Sequence, residues 1–497
     1  MKGDFSRITF DAANHFSRVL TQQGRVTLDA DSNEQAAILL HYVRTLARDL
    51  IGPSGGPADA LGFQLSLDPS ANPKALKISA GRYYVDGILC ENEADDYTYH
   101  DQPDYAPGDD DKLLAHLKSP QPGTSFWLYL DIWERHLTPV EDDRMREVAL
   151  GGPDTCTRAK VVWQVKALEL PSGNPNNSCT APLAGLSAIG AAEMAAELDP
   201  GHPINDPCVV APDARYRGAE NQLYRVEIHR GSGPSGQPTF KWSRDNGSVA
   251  SAWLRTEGND LLVASARGFS AGAWIELTDD QRELRGEPGV LVKLASVDGN
   301  RLRVDPGSIP TSASLVWAPT LRNPKVRRWD QIETDDITLD DGAIPISEVT
   351  DADLPWIHLE DGLRVRFQPT GGDKQQYRSG DYWLIPARVA TGDIEWPRHD
   401  GTAQLQPPHG IEHHYAPLGV LRWKDGEGGQ ELELKSCLCL LDKINPCQRS
   451  TEASVLPRAR PARPRLPAPQ PTPAPAHAPA PARPQPSGPR SPGSRPK

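Results

Sequence analysis

The stretch that decides the fold is TFKWSRDNGSVASAWL, residues 239–254. Phe240 and Trp242 alternate with polar residues, which is the two-residue period of a β-strand that buries one face. Asn246-Gly247 follows, and this dipeptide strongly favours the tight two-residue turn of a hairpin. Because the apolar residues Val249, Trp253 and Leu254 follow the turn, we predict a β-hairpin at this point of the chain.

Short alternating segments recur on both sides of this stretch. They lie at 83–89 around an Asp-Gly turn, at 126–133 and 161–168, at 260–264, 273–278, 289–297 and 301–305, and at 363–367, 382–387 and 415–423. Regular short strands with Gly and Asn turns indicate small barrels or sandwiches. We therefore predict a mainly β, multi-domain chain built from small β-sandwich or barrel modules.

One N-terminal segment departs from this period. Asp31 and Ser32 precede Glu34 and Gln35, a capping-box pattern, and apolar residues then follow at helical spacing as far as Gly52. We predict a helix over about 32–51 whose apolar face docks on its own domain or on a partner. The interface candidates are Leu39, Leu40, Val43, Leu46 and Leu50, together with Trp242 and Trp383 from the β regions.

These patterns divide the chain into six segments. They are an N-terminal attachment segment (1–57), a first β domain (58–170), a Gly/Pro-rich insertion or link (171–222), a hairpin-rich second β domain (223–327), a third β region (328–450) and a tail (451–497). Within the link, the Ala-rich piece 186–197 predicts a short helix. The tail is rich in Pro, Ala and Arg, so we expect it to be disordered.

Charge is distributed unevenly along the chain. The total is −13, but the residues after Glu452 include eight basic and no acidic ones, so the rest carries −21. An acidic body repels nucleic acid, and we expect none to bind through the folded part. No stretch approaches the roughly 20 apolar residues of a membrane span. The N-terminus lacks the apolar segment of a signal peptide, so we expect synthesis in the cytoplasm, with release as part of a particle left open.

Local motifs do not predict catalysis or cofactor binding. The sequence has no nucleophile elbow, no phosphate-binding P-loop and no H-E-x-x-H zinc motif. His409, His413 and His414 are the candidate metal ligands, but an alternating strand would point His413 and His414 to opposite faces. We therefore expect no catalytic residue, cofactor or metal. The cysteines are too few and too scattered for a disulfide framework, and we expect reduced thiols.

Eight short motifs are spread along the chain: MKGDFSR (1–7), QQGRV (22–26), LDAD (28–31), GRYYVDG (81–87), REVALGGPDT (146–155), FKWSRDNG (240–247), GDYWLIPAR (380–388) and HHYAPL (413–418). As a set, over about residues 1–425, they resemble a bacterial domain family of unknown function. Members of that family are often encoded near components of phage-tail-like contractile injection systems. The resemblance implies a tail-associated role and no catalytic residues. The chain departs from it at Ser32, where we expect Trp in many relatives.

We interpret the chain as a non-catalytic structural or attachment component of such a particle, associated with its baseplate or a tail fibre. Its partners would be other tail or baseplate proteins, or further copies of this chain. The alternative is a carbohydrate-binding or glycan-degrading β protein that acts on a surface glycan, because aromatic and acidic residues are plentiful in the β regions.

Overall fold

The architecture comes from a computed structural model. It describes residues 1–68, 70–71, 74–105, 107–108, 111–119, 123–171, 179, 183, 186, 192–199, 215–233, 236–311, 316–346, 356–367, 376–426 and 429–441, with backbone alone at 424–426 and 429–431. The chain divides into Met1–Lys443, which holds every described residue, and Ile444–Lys497. The predicted disordered tail and most of the predicted link 171–222 lie outside the described residues.

β-Strands are the predominant regular structure of the described residues. The helices are α1 (Asp29–Ile51), α2 (Lys112–Lys118) and α3 (Asp280–Arg285). The strands are β1 (Ser54–Pro57), β2 (Leu65–Asp68), β3 (Ala75–Ile78), β4 (Gly81–Val85), β5 (Ile88–Asn92), β6 (Ser125–Leu137), β7 (Arg158–Leu170), β8 (Met194–Leu198), β9 (Gln222–Arg230), β10 (Thr239–Ser243), β11 (Ala250–Glu257), β12 (Asp260–Val263), β13 (Trp274–Thr278), β14 (Val290–Asp298), β15 (Arg301–Val304), β16 (Lys325–Trp329), β17 (Ile344–Pro345), β18 (Ile357–His358), β19 (Leu363–Phe367), β20 (Tyr382–Arg388), β21 (Asp393–Ile394), β22 (Arg398–His399), β23 (Thr402–Ala403), β24 (His414–Gly426), β25 (Gly429–Ser436) and β26 (Leu440–Leu441).

The strands form one closed barrel and several open sheets. The barrel has the order β11-β12-β15-β14-β13-β16. A five-stranded sheet has the order β17-β10-β9-β20-β21, and two four-stranded sheets have the orders β25-β24-β6-β7 and β26-β1-β4-β5. A three-stranded sheet, β18-β19-β8, and two two-stranded ribbons complete the described strands. The prediction of a mainly β fold with a small barrel is confirmed.

Several sheets join segments that are far apart in the sequence. β6 pairs antiparallel with β24, where His414 lies opposite Ile132 and Arg422 opposite Ser125. β1 runs parallel to β26, and β8 pairs with β19. The predicted segments 58–170 and 328–450 thus share a sheet, and the domain division itself remains a prediction.

The Asn246-Gly247 turn reverses the chain but does not join a hairpin. Both residues have positive φ, 54° and 63°, as the dipeptide favours. β10 pairs with β9 and β17, however, whereas β11 pairs with β12 and β16 in the barrel. The predicted hairpin is wrong because turn chemistry sets only the local reversal, while burial against other strands sets the pairing. The turns at Asp86-Gly87 and Asp298-Gly299 do join paired strands, β4–β5 and β14–β15.

Helix α1 begins three residues before the predicted start. Asp31 accepts a hydrogen bond from the Leu28 backbone N–H at the first turn, but Glu34 and Gln35 do not act in the predicted capping box. They bind the segment that precedes the helix instead. Glu34 accepts a hydrogen bond from the Thr9 hydroxyl, and Gln35 accepts one from the Val19 backbone N–H. The Ala-rich piece at 186–197, where the structure describes it as β8, is a strand and not the predicted helix.

Candidate functional site

Strand β9 carries charged and polar side chains on a face that lies inside the molecule. One face of the strand enters a hydrophobic core through Tyr224, Val226 and Ile228. The opposite face carries Arg225, Glu227 and His229, which are only 2%, 2% and 9% exposed. An alternating strand of this kind usually turns its polar face to water. Here that face is covered by other parts of the chain.

The covered face borders a cavity of about 300 Å³. The barrel strands β13 and β16 contribute Glu276, Thr278 and Arg327 to its wall, and β6 contributes Trp133 to His136. The cavity therefore lies where the five-stranded sheet, the barrel and the β6 sheet meet. None of its lining residues except His409 and His414 was among the sequence candidates.

Glu227 is the centre of one ion-pair network in this wall. Its carboxylate lies 2.6 Å from Arg225 Nε, 3.0 Å from Lys2 Nζ and 3.3 Å from Lys241 Nζ. Burial alone would raise the pKa of Glu227, but the three cations outweigh it and hold the pKa well below the usual range. Glu227 is therefore ionised at neutral pH.

Glu276 links the barrel to the five-stranded sheet. Its Oε1 accepts from Lys241 Nζ at 2.5 Å and from the Gly289 N–H at 3.0 Å, and its Oε2 accepts from Trp329 Nε1 at 2.9 Å. Burial opposes ionisation, but Lys241 and Lys2 outweigh it and lower the pKa of Glu276 to about 2. Both carboxylate oxygens thus have partners.

A second network surrounds Lys325, which has no solvent exposure. Its Nζ lies 2.5 Å from Glu141, 2.8 Å from Glu283 and 3.4 Å from Asp280. In the described ranges these three carboxylates are the only group of acidic, His or Cys side chains spaced to hold a metal ion. The ammonium of Lys325 pairs with all three, so the chain supplies its own cation there.

Three histidines line the cavity in the neutral form. Burial and nearby cations lower the pKa of His136 and His229 to about 3 and that of His409 to about 4. At physiological pH they offer neutral hydrogen-bonding nitrogens instead of charge. Nδ1 of His229 has no hydrogen-bond partner among the described residues.

The three histidines proposed from the sequence as metal ligands each bind a different group. His413 Nδ1 donates to Asp131 at 2.7 Å, and His414 Nδ1 donates to Asp86 at 3.1 Å. His409 Nδ1 accepts from a backbone N–H at 3.3 Å, and its ring stacks on Tyr382. The structure does not bring these rings together around one point.

The two tryptophans among the interface candidates are core residues. Trp242 is 1% exposed and Trp383 is fully buried in the cluster formed by the five-stranded and three-stranded sheets. Trp383 Nε1 also donates to the Gln406 carbonyl at 2.8 Å. Neither ring is available at the described surface.

The five interface candidates on α1 have the opposite placement. Their exposed fractions are 57% for Leu39, 46% for Leu40, 61% for Val43, 60% for Leu46 and 70% for Leu50. We call these residues the outer stripe of α1. In this chain the helix buries only Ala30 and Ile38. The apolar face predicted to dock therefore faces outward.

Helix α1 is held to the body by its polar side. Arg44 forms a two-point ion pair with Glu134, at 2.8 and 3.3 Å, and Arg48 lies 3.5 Å from Asp86. Gly87 lies under the same helix, where an added Cβ would come within 2.0 Å of the Arg44 carbonyl oxygen. These contacts fix which side of the helix faces away.

One pair of cysteines corrects the expectation of reduced thiols. Cys179 and Cys437 form a disulfide with their Cα atoms 5.5 Å apart, across a sequence separation of 258 residues. Sequence spacing could not reveal this pair, because the two residues meet only through the fold. Cys90, Cys156 and Cys439 are free.

Fold and site together define a mostly β, multi-sheet protein with a charged internal cavity and an exposed apolar helix face. No helix in the described ranges is both long and apolar enough to span a membrane. The chain belongs to a family described as a family of unknown function (DUF6519), whose model matches residues 1–181 and 175–492. No curated protein and no solved structure matched the chain. The resemblance to an uncharacterised family is confirmed, and its association with injection systems remains a proposal.

Proposed function

We propose that this chain is a non-catalytic structural or attachment component of a phage-tail-like contractile injection particle, associated with the baseplate or a fibre. The observation that carries the attachment role is the outer stripe of α1. The assignment to this kind of particle rests on the sequence motifs. The stripe supports the narrower point that α1 binds another protein.

Exposed apolar area of this kind marks an interaction surface. A single exposed leucine on a monomer needs no explanation, but a contiguous apolar patch does. Here five large apolar residues follow one side of a helix that is already anchored through its other side. Leu20, Val26 and Leu28, in the segment that precedes α1, are exposed as well.

The spacing of the stripe favours a helical partner. Leu39, Val43, Leu46 and Leu50 are separated by four, three and four residues, which is the heptad seam of a coiled coil. At 1.5 Å per residue the seam is about 16 Å long. Such a short seam gives a weak contact by itself, since short helices in isolation are marginal. It suits a subunit held at several points in a larger assembly.

The experiment is to purify particles from producing cells and to follow this chain by mass spectrometry. We compare the wild type with Val43→Glu/Leu46→Glu, which places two charges in the stripe. The matched control is Thr45→Glu, which adds charge at an exposed position on the opposite side of the same helix. We expect the control to be incorporated like the wild type and the double variant to be lost.

Folding is checked in parallel on the purified chains. Because the substituted side chains are exposed, both variants should unfold at nearly the same temperature as the wild type. If the chain never copurifies with the sheath, tube or baseplate proteins of its host, the particle role is wrong. If the double variant is incorporated as well as the control, the stripe is not the attachment surface.

A further inference from the structure

Arg327 stands apart from the other cations of the cavity. It is 4% exposed, and no carboxylate of the described chain lies within ion-pairing distance of it. One guanidinium nitrogen donates to the Gly247 carbonyl, and Nε has no hydrogen-bond partner in the described ranges. A buried arginine without an acidic partner is unusual, because an uncompensated buried charge costs several kcal/mol.

Three carboxylates that line the same cavity as Arg327 bind other donors. Glu276 lies directly across the strand pair from Arg327, but both of its oxygens are bound by other donors. Glu141 and Glu283, on another part of the wall, bind the Lys325 ammonium at 2.5 and 2.8 Å. Arg327 is therefore left without an acidic partner among the described residues, because these carboxylates bind other donors.

The wall next to Arg327 groups several cations, although the lining as a whole is mixed and also holds Glu134, Glu141, Glu283, Glu287 and Glu412. Four cationic side chains, Lys2, Arg225, Lys241 and Arg327, share only two carboxylates, Glu227 and Glu276. Of these four, only Arg327 has no carboxylate of the described residues within ion-pairing distance, and it lines a cavity of about 300 Å³. An anion placed beside Arg327 would give this cation a partner, and the surrounding low dielectric strengthens such an interaction.

We propose that this cavity binds a small hydroxylated molecule that carries one oxyanion, a carboxylate or a phosphate, and that Arg327 receives the oxyanion. A guanidinium presents paired donors that match the geometry of either group. The volume lies at the lower end of the roughly 300–1,000 Å³ of small-molecule sites. Sugar acids and sugar phosphates have this chemistry.

The rest of the lining suits the hydroxylated part of such a ligand. Thr278 and Ser379 supply hydroxyl groups, and the Ser379 hydroxyl, which accepts from the Gly231 N–H at 3.0 Å, keeps its own proton to donate. The buried His229 adds a neutral imidazole. This site is separate from the outer stripe of α1, so the proposal does not depend on the role in a particle.

The test uses the purified full chain and isothermal titration calorimetry at constant ionic strength. The probes are glucuronate, glucose 6-phosphate and inorganic phosphate, with uncharged glucose as the control ligand. We expect saturable binding of at least one oxyanion and none of glucose. Preference for glucuronate assigns a carboxylate ligand, and preference for glucose 6-phosphate assigns a phosphate.

Two variants connect binding to the site. Arg327→Gln removes the charge and should weaken binding by about 10-fold to 150-fold, the range for hydrogen bonds to a charged group. Arg303→Gln is the charge-matched control, because Arg303 is 61% exposed on the barrel and pairs with Asp260 away from the cavity. It should bind like the wild type.

If Arg327→Gln does not fold, the binding measurement is made on Arg327→Lys instead. It keeps the charge but loses the paired donors, so oxyanion affinity should fall by about tenfold in a folded protein. The proposal is overturned if the wild type binds none of the three oxyanions at millimolar concentration. It is also overturned if glucose binds equally well, or if neither Arg327 variant weakens binding more than Arg303→Gln does.

Discussion

Replacing Lys325 by Met removes the one cation that pairs with all three of Glu141, Asp280 and Glu283. Its Nζ lies 2.5, 3.4 and 2.8 Å from these three carboxylates and is fully buried. After the change, Arg135 remains as the cation paired with Asp280 and Glu283, at 2.6 and 2.9 Å. Three carboxylates, of which Asp280 is buried and Glu141 and Glu283 are partly buried, then share one positive charge.

The free energy of unfolding should fall by about 3–5 kcal/mol, the cost of removing one partner from a buried ion pair. In the wild type, burial would raise the pKa of Glu141 and of Glu283, but Lys325 outweighs burial and lowers both. Their contribution is therefore present above about pH 4.5 and is lost as pH falls through the lowered folded-state pKa. In the variant, burial dominates and the carboxylates take up protons at higher pH. The loss in free energy of unfolding relative to the wild type should therefore be largest near pH 8 and smaller at pH 5.

Urea unfolding of the full chain, followed by tryptophan fluorescence at pH 5 and pH 8, measures this difference. Lys77→Met is the control, since Lys77 is 48% exposed and its surface pair with Asp68 should contribute no more than about 1 kcal/mol. Adding Glu141→Gln to Lys325→Met should recover part of the loss, because it removes one unpaired charge. A deficit no larger than that of the control, or one that does not change with pH, would refute the reasoning.

Three further substitutions test other parts of the fold. Gly87→Ala should lower the free energy of unfolding by about 2–4 kcal/mol, because φ is +80° and the added Cβ would meet the Arg44 carbonyl. Gly258→Ala is the control, since Gly258 also has a positive φ but lies in open space. It should lower the free energy of unfolding by only about 1–2 kcal/mol in the same denaturation assay. Burial, partly offset by a neighbouring arginine, raises the pKa of Asp381 to about 6. Between about pH 4 and 6 the folded state therefore binds a proton that the unfolded state does not. As pH rises through that window, the free energy of unfolding of Asp381→Asn should increase by about 2–3 kcal/mol relative to that of the wild type. Equal pH profiles for the two proteins would contradict this. Cys437→Ser should lower stability by about 2–5 kcal/mol, and dithiothreitol should destabilise the wild type but not the variant.

Local patterns predicted the strands well because they depend on neighbours in the sequence. Alternation around Val365 gave β19, and the Asp86-Gly87 turn joins the two strands expected of it. The Asn246-Gly247 turn shows where this reasoning ends. Its geometry is local and was predictable, but the strands on either side find their partners in different sheets.

The candidate sites show the same division. The apolar face of α1 was predictable from its period, but whether it faces the body or the outside depends on polar contacts such as Arg44 with Glu134. In β9 the sequence shows an alternating strand, and an alternating charged face normally implies solvent. That Glu227 faces a cavity follows only from the barrel packing beside it, which no local pattern encodes.

The pairing of β6 with β24 has a consequence for how the protein is made. β6 ends at Leu137 and β24 begins at His414. One edge of β6 therefore stays unpaired until β24 has been synthesised. At roughly 5–20 residues per second, a ribosome needs about 15–60 s to cover that interval. The β6 sheet therefore closes after most of the chain has emerged, and until then an aromatic-rich strand edge is open to other nascent chains. Expression yield should depend on chaperone supply and on translation rate more than for a protein whose neighbouring strands pair in order.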